Sequence, residues 1–149
     1  MIIDPPVGFD TSFFDWLVEM GENLLVVFIE RGGLSDAEIN ALAQEVGGYL
    51  PTQIRAYYEN CSPWAVWRDS QSVWQRIREN VSHTTGIIEP MLPIDINSQQ
   101  RNHTIARILS REEYEIVVVK QDKAVKFHKG DLRSYLIGLV EEEVRLSSA

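Results

Sequence analysis

Apolar residues recur at three- and four-residue steps through the first half of the chain and give way to shorter β-prone runs in the second. Asp10 or Thr11 can cap a helix on which Phe13, Leu17, Met20, Leu24 and Phe28 fall on one stripe, with Gly32-Gly33 as its stop. Gly21 and Asn23 interrupt that stripe, and Leu24-Leu25-Val26-Val27-Phe28-Ile29 is β-prone, so a shorter helix followed by a strand competes with the long helix, which the spacing favours. The next segment has clearer local grammar. Ser35 with Glu38 three residues on forms a capping box, Leu34 precedes it as a staple, and Ile39, Leu42, Ala43 and Val46 make the buried stripe of a helix over about 36–46. Gly47-Gly48 ends it, and Pro51 suits the first turn of a further helix over 52–60 with Ile54, Tyr57 and Tyr58 on its buried side.

A third helical pattern runs over about 70–81, carried by Val73, Trp74, Ile77 and Val81. The pattern then changes. Gly86 to Pro93 reads as irregular or edge chain, while 103–109, 114–120 and 124–128 are β-branched and aromatic, with Gln121-Asp122-Lys123 as a hairpin connection. Asp131 can cap a final helix with Leu132, Tyr135, Leu136, Leu139 and Val140 inward. Helices gathered before strands and one closing helix predict an α+β fold: N-terminal helices packed on one side of an antiparallel or mixed sheet, closed by a C-terminal helix. No linker divides residues 1–149, which predicts a single domain, with 1–33 a candidate N-terminal helical extension.

Charge changes this picture more than composition does. The formal charge of −8 belongs in net terms to residues 1–60, where ten acids face only Arg31 and Arg55. Such a half repels phosphate backbones and attracts basic surfaces, so nucleic acid is not an expected partner. The single cysteine, Cys61, leaves no internal disulfide to form, and the longest apolar run is far below the roughly 20 residues of a membrane span. The amino terminus lacks a basic n-region, and these features together predict a cytoplasmic protein that does not engage a membrane.

Candidate chemistry is sparse. His83, His103 and His128 match no zinc spacing, Cys61 has no neighbouring ligand, and the glycine pairs lack the lysine and hydroxyl of a phosphate cradle, so neither metal nor cofactor is expected. Glu112-Glu113 and Glu141-Glu142-Glu143 read as solvated faces, because adjacent acids point apart on a strand and on a helix. Lys120, Lys123, Lys126, Lys129 and Arg133 surround the hairpin with only Phe127 among them, which reads as a charged, edge-protecting hairpin. Trp64 and Trp67 follow Pro63 on an expected loop, where tryptophan suits an interface anchor. The expectation is a binding protein and not an enzyme.

The order Leu34-Ser35-Asp36-Ala37-Glu38-Ile39, Leu42, Gly47, Leu50-Pro51 and Tyr57-Tyr58 resembles the opening of the SUKH superfamily, and the resemblance covers about 34–140. The chain departs from the family pattern in its Asn60-Cys61-Ser62-Pro63 turn and in the segment Phe9 to Arg31. The resemblance implies an immunity protein that neutralises a polymorphic toxin, often a nuclease, by direct binding. On that reading Asp36, Glu38, Glu45 and Glu59 attract a basic toxin face, and Tyr58, Trp64 and Trp67 anchor it. The alternative is a structural or adaptor subunit of a phage or secretion assembly.

Overall fold

Strands whose residues are apolar on both faces need cover on both faces, and this requirement shapes the molecule. The computed structural model describes residues 4–29, 31–61, 71–87, 90–97, 102–120 and 122–147. Its elements are α1 (Thr11–Leu24), α2 (Asp36–Glu45), α3 (Thr52–Asn60), α4 (Gln71–Thr85), β1 (Met91–Asn97), β2 (Asn102–Ile108), β3 (Tyr114–Val119), β4 (Val125–His128) and α5 (Leu132–Ser147). The strands form one antiparallel meander in the order β1-β2-β3-β4. The fold is α+β and its sheet is antiparallel throughout.

Leu92, Ile94, Ala106, Ile108 and Ile116 turn to one face and join the larger core with α1, α2, α3 and α5. Met91, Ile105, Val117 and Val119 turn to the other and pack with Ile77 and Val81 of α4. Helices therefore lie on both faces of the sheet, which corrects the expectation that they gather on one. Ile116 to Val119 is buried at every position, and such a run has no wet side.

α1 starts where the pattern places it, with the Asp10 side chain accepting from Ser12 N. It stops earlier. Leu25 adopts the left-handed conformation (φ 60°, ψ 37°), its N–H returns to Glu22 and Gly21 carbonyls, and Val26 N bonds Gly21 O at 2.9 Å. A Cβ on Gly21 would stand 2.6 Å from Val26 O, so the apparent interruption at Gly21 is where the returning chain crosses the helix. The long helix to Gly32 is thus overturned, and residues 26–29 form no strand either; Arg31 makes an isolated bridge to Cys61.

Phe13, Phe14, Trp16, Leu17 and Met20 of α1 are all in the larger core, together with Leu132, Leu136 and Val140 of α5. Phe14 lies 4.9 Å from Phe9, 5.6 Å from Phe13 and 6.3 Å from Tyr57 between ring centroids. The segment is a wall of the core and does not stand off it as an extension. Arg133 holds the proline lead across α5, donating to Gly8 O (2.9 Å) and Pro6 O, with its guanidinium 5.3 Å from the Phe13 ring centroid. This removes Arg133 from the basic group around the hairpin.

The remaining elements follow their signals. Ser35 and Glu38 form the reciprocal capping box of α2. α4 continues to Thr85, beyond its last strongly apolar position Val81. Pro93 sits in β1, an outer strand, where the register shifts between Pro93 and Asp95, and the edge position spares the sheet a lost interior bond.

Candidate functional site

The turn before α2 is fastened to the end of α3. Leu34 N donates to Tyr58 O at 2.8 Å, and a Cβ on Gly33 would stand 2.0 Å from Glu59 O, so only glycine permits this approach. The clasp brings the first turn of α2, with exposed Asp36 and Glu38, to the exposed Glu59 at the end of α3. Their local roles differ. The Glu38 carboxylate accepts from Ser35 N at 2.9 Å, and acids in a first turn complement the helix dipole.

Glu45 stands apart from this group. Nine residues along α2 place it about 14 Å from Asp36, where it meets Arg78 of α4 at 3.8 Å beside a shallow depression of ≈ 500 Å³ that Glu79, Ser82 and Met91 also line. The expected contact residues that the structure describes do not form one patch.

Tyr58 is corrected more strongly. It is fully buried, its hydroxyl donates to Pro93 O at 2.7 Å, and burial, with Glu45 adding to it, pushes its pKa well above the ordinary tyrosine value. It anchors α3 to β1 and offers no surface to a partner. Adjacent Tyr57 does the same through Ile94 O. Trp64 and Trp67 lie outside the described residues.

Glu112, expected on a solvated face, caps α3. Pro51 at the N-cap has no side chain to accept the helix's free N–H groups, and the Glu112 carboxylate takes Thr52 N (3.0 Å) and Thr52 Oγ1 from sixty residues away. These bonds hold its carboxyl below the usual range. Beside it, Gln53 accepts from Tyr114 Oη and from Leu132 N (3.1 Å) and donates to Asp131 (2.9 Å), tying α3, β3 and α5 together.

His128 and Ser134 approach to 2.9 Å, which invites comparison with a base and a nucleophile. The Ser134 hydroxyl also stands 2.9 Å from Asp131 O, and when it donates there the imidazole can only lend an N–H to Ser134 Oγ, with no lone pair directed at it. The pair closes the turn from β4 into α5. Among the described residues no three His, Cys, Asp or Glu side chains converge as a metal requires, and no helix is long and apolar enough to cross a membrane. Cys61 is buried, which raises its thiol pKa to about 12 and keeps it protonated at neutral pH.

These groups make stability depend on pH in one direction. Burial lowers the pKa of His103, and burial with Lys126 nearby lowers that of His128, both from 6.5. Burial raises the Asp131 carboxyl, but hydrogen bonds from Ser134 and Gln53 outweigh it and leave it below 3.8; Glu112 lies below 4.5. In all four the unfolded chain binds protons first, so their contribution is complete above the unfolded values and is lost as pH falls through the folded ones. Tm should fall as pH drops below 6.5, and again below about 4.5. The paired substitution His103→Gln and His128→Gln should flatten the upper limb and leave the lower; a Tm that is constant from neutral pH to well below 6.5 in the native chain contradicts this assignment.

No family model, curated protein or solved structure matches the chain.

The acidic residues that the expectation missed lie on α1. Asp15, Glu19 and Glu22 are all exposed, and their spacing places them on one helical face; Asp15 pairs with Arg31 at 3.2 Å. The four- and three-residue spacing was a usable signal.

Proposed function

We propose that the chain is a cytoplasmic binding protein of SUKH immunity type, which neutralises a basic toxin by covering it with the end of the molecule that carries Asp36, Glu38 and Glu59. The observation that carries this reading is the clasp of Leu34 and Gly33 onto Tyr58 and Glu59, which sets three exposed carboxylates from two helices at one end. The excess of acid in residues 1–60 gives that end the sign that steers a basic protein towards it. Trp64 and Trp67 follow α3 in the chain and are the anchors of the proposed contact.

The test is binding to a purified cognate toxin, measured calorimetrically against salt. Affinity should weaken about tenfold between roughly 50 and 500 mM NaCl, because the carboxylates are exposed and screened. Reversing Asp36 and Glu59 together to lysine should cost about tenfold or more at low salt without changing Tm appreciably. Binding that ignores both salt and the reversal rules out this end as the contact. Glu38 is left in place, since its carboxylate holds the capping box.

A further inference from the structure

The end of α1 and the outer strand β4 are each incomplete in a way that the other would complete. Leu25 is 91% exposed and Val27 77%, beside neighbours Val26 and Phe28 that are partly buried, an alternation of the kind one side of a strand shows. Among the described residues Val27, Phe28 and Ile29 make no backbone hydrogen bond. Glu22 occupies the last turn of α1, where the helix dipole is itself negative and no basic residue compensates. An apolar segment thus runs over 26–29 with Val27 exposed and, among the described residues, Val27 to Ile29 without backbone partners, while Val26 is tied by its N–H to Gly21 O and Ile29 is buried in the larger core.

β4 presents the converse. It is also four residues long, it pairs with β3 on one side only, and among the described residues its other edge is open. Phe127 on it is 47% exposed, and Lys123 and Lys126 are exposed around it. Lysines on an edge repel an identical edge, so β4 does not pair with β4, yet they favour a strand of opposite charge.

We propose that residues 26–29 of one copy add to the open edge of β4 in a second copy, with Leu25 and Val27 covering Phe127 and Glu22 facing Lys123 and Lys126. The occupant is a second copy because both halves of the contact, matched in length, charge and apolar content, are on this chain. Strand addition supplies main-chain bonds to segments that lack them, and the alternating side chains set which partner fits. The contact joins unlike surfaces, so it closes reciprocally as a two-fold pair or continues as a chain. It uses none of Asp36, Glu38 and Glu59, and its test stands or fails independently of the toxin-binding proposal.

Light scattering and sedimentation of the full chain test it. The mean mass should rise from the 17.1 kDa of one chain with concentration over about 1 to 500 μM, and the dissociation constant should rise about tenfold between roughly 50 and 500 mM NaCl. Glu19→Lys with Glu22→Lys makes both surfaces basic, and Lys123→Glu with Lys126→Glu makes both acidic. Each pair of substitutions should leave the chain monomeric with an unchanged circular dichroism spectrum, and mixing the two proteins should restore association in equal proportion. A native chain that stays monomeric throughout, or variants that associate as the native chain does, overturns the proposal.

Discussion

A chain that begins at Gly33 should not fold. Removing what precedes it takes Phe13, Phe14, Trp16, Leu17 and Met20 out of the larger core and leaves the faces of α3 and α5 against water. Burying one large apolar side chain is worth about 1.5–3 kcal/mol, so five of them contribute on the order of 10 kcal/mol, comparable with the roughly 5–15 kcal/mol stability of a whole domain. The shortened chain should show no cooperative thermal transition and should bind a dye for exposed apolar surface. A cooperative melt within a few degrees of the full chain would return α1 to the status of an appendage. Phe14→Ala probes the same wall without truncation. It empties a site closed by Phe9, Phe13 and Tyr57 and should cost about 3–5 kcal/mol in urea unfolding.

Gly33→Ala should be the most damaging single methyl in the molecule. The added carbon would stand 2.0 Å from Glu59 O and 2.5 Å from its carbonyl carbon, and both are backbone, so no side chain can swing aside. Relief requires α2 and α3 to part, which stretches the bond from Leu34 N to Tyr58 O. We expect a loss of about 3 kcal/mol or more. Gly32→Ala is the control: its φ of +100° imposes backbone strain but open space surrounds it, and a loss of about 1 kcal/mol follows. Equal losses at the two positions would show that conformation and not contact governs this turn. Because the clasp joins the start of α2 to the end of α3, the Gly33 variant should also lose more partner affinity than the Gly32 variant.

Where the determinants were local, the elements were legible in the sequence. Asp10, the Ser35 and Glu38 box, Pro51 and Asp131 each start a helix within a residue or so of the expected place, since a cap is a contact over two or three positions. The hairpin between β3 and β4 was legible for the same reason. Tertiary determinants were not. The end of α1 is set by Leu25 in a left-handed conformation that a glycine would ordinarily mark, and Leu25 carries no such mark. The cap of α3 comes from Glu112, and no pattern along the chain connects residues so distant. The second core was visible in principle, because Ile116 to Val119 lacks the polar alternation of a half-solvated strand.

The candidate site was legible in part. Asp36, Glu38 and Glu59 could be named from charge and helix position, but the approach of the start of α2 to the end of α3 depends on Gly33 packing against Glu59, which spacing alone does not disclose. The sequence allows Tyr58 two incompatible roles, one on a buried helical stripe and one at an interface, and its fully buried hydroxyl bond to Pro93 decides for the first. Glu45 was grouped by charge with residues that lie about a helix length away, and its ion pair with Arg78 ties it to α4 instead.

The most direct test of the proposed role is growth of a host expressing the cognate toxin, with and without this chain. The toxin alone should arrest growth, the native chain should restore it, and Asp36→Lys with Glu59→Lys, folded and equally abundant, should restore it poorly. Arrest that persists in the presence of abundant, folded native chain would contradict the immunity reading.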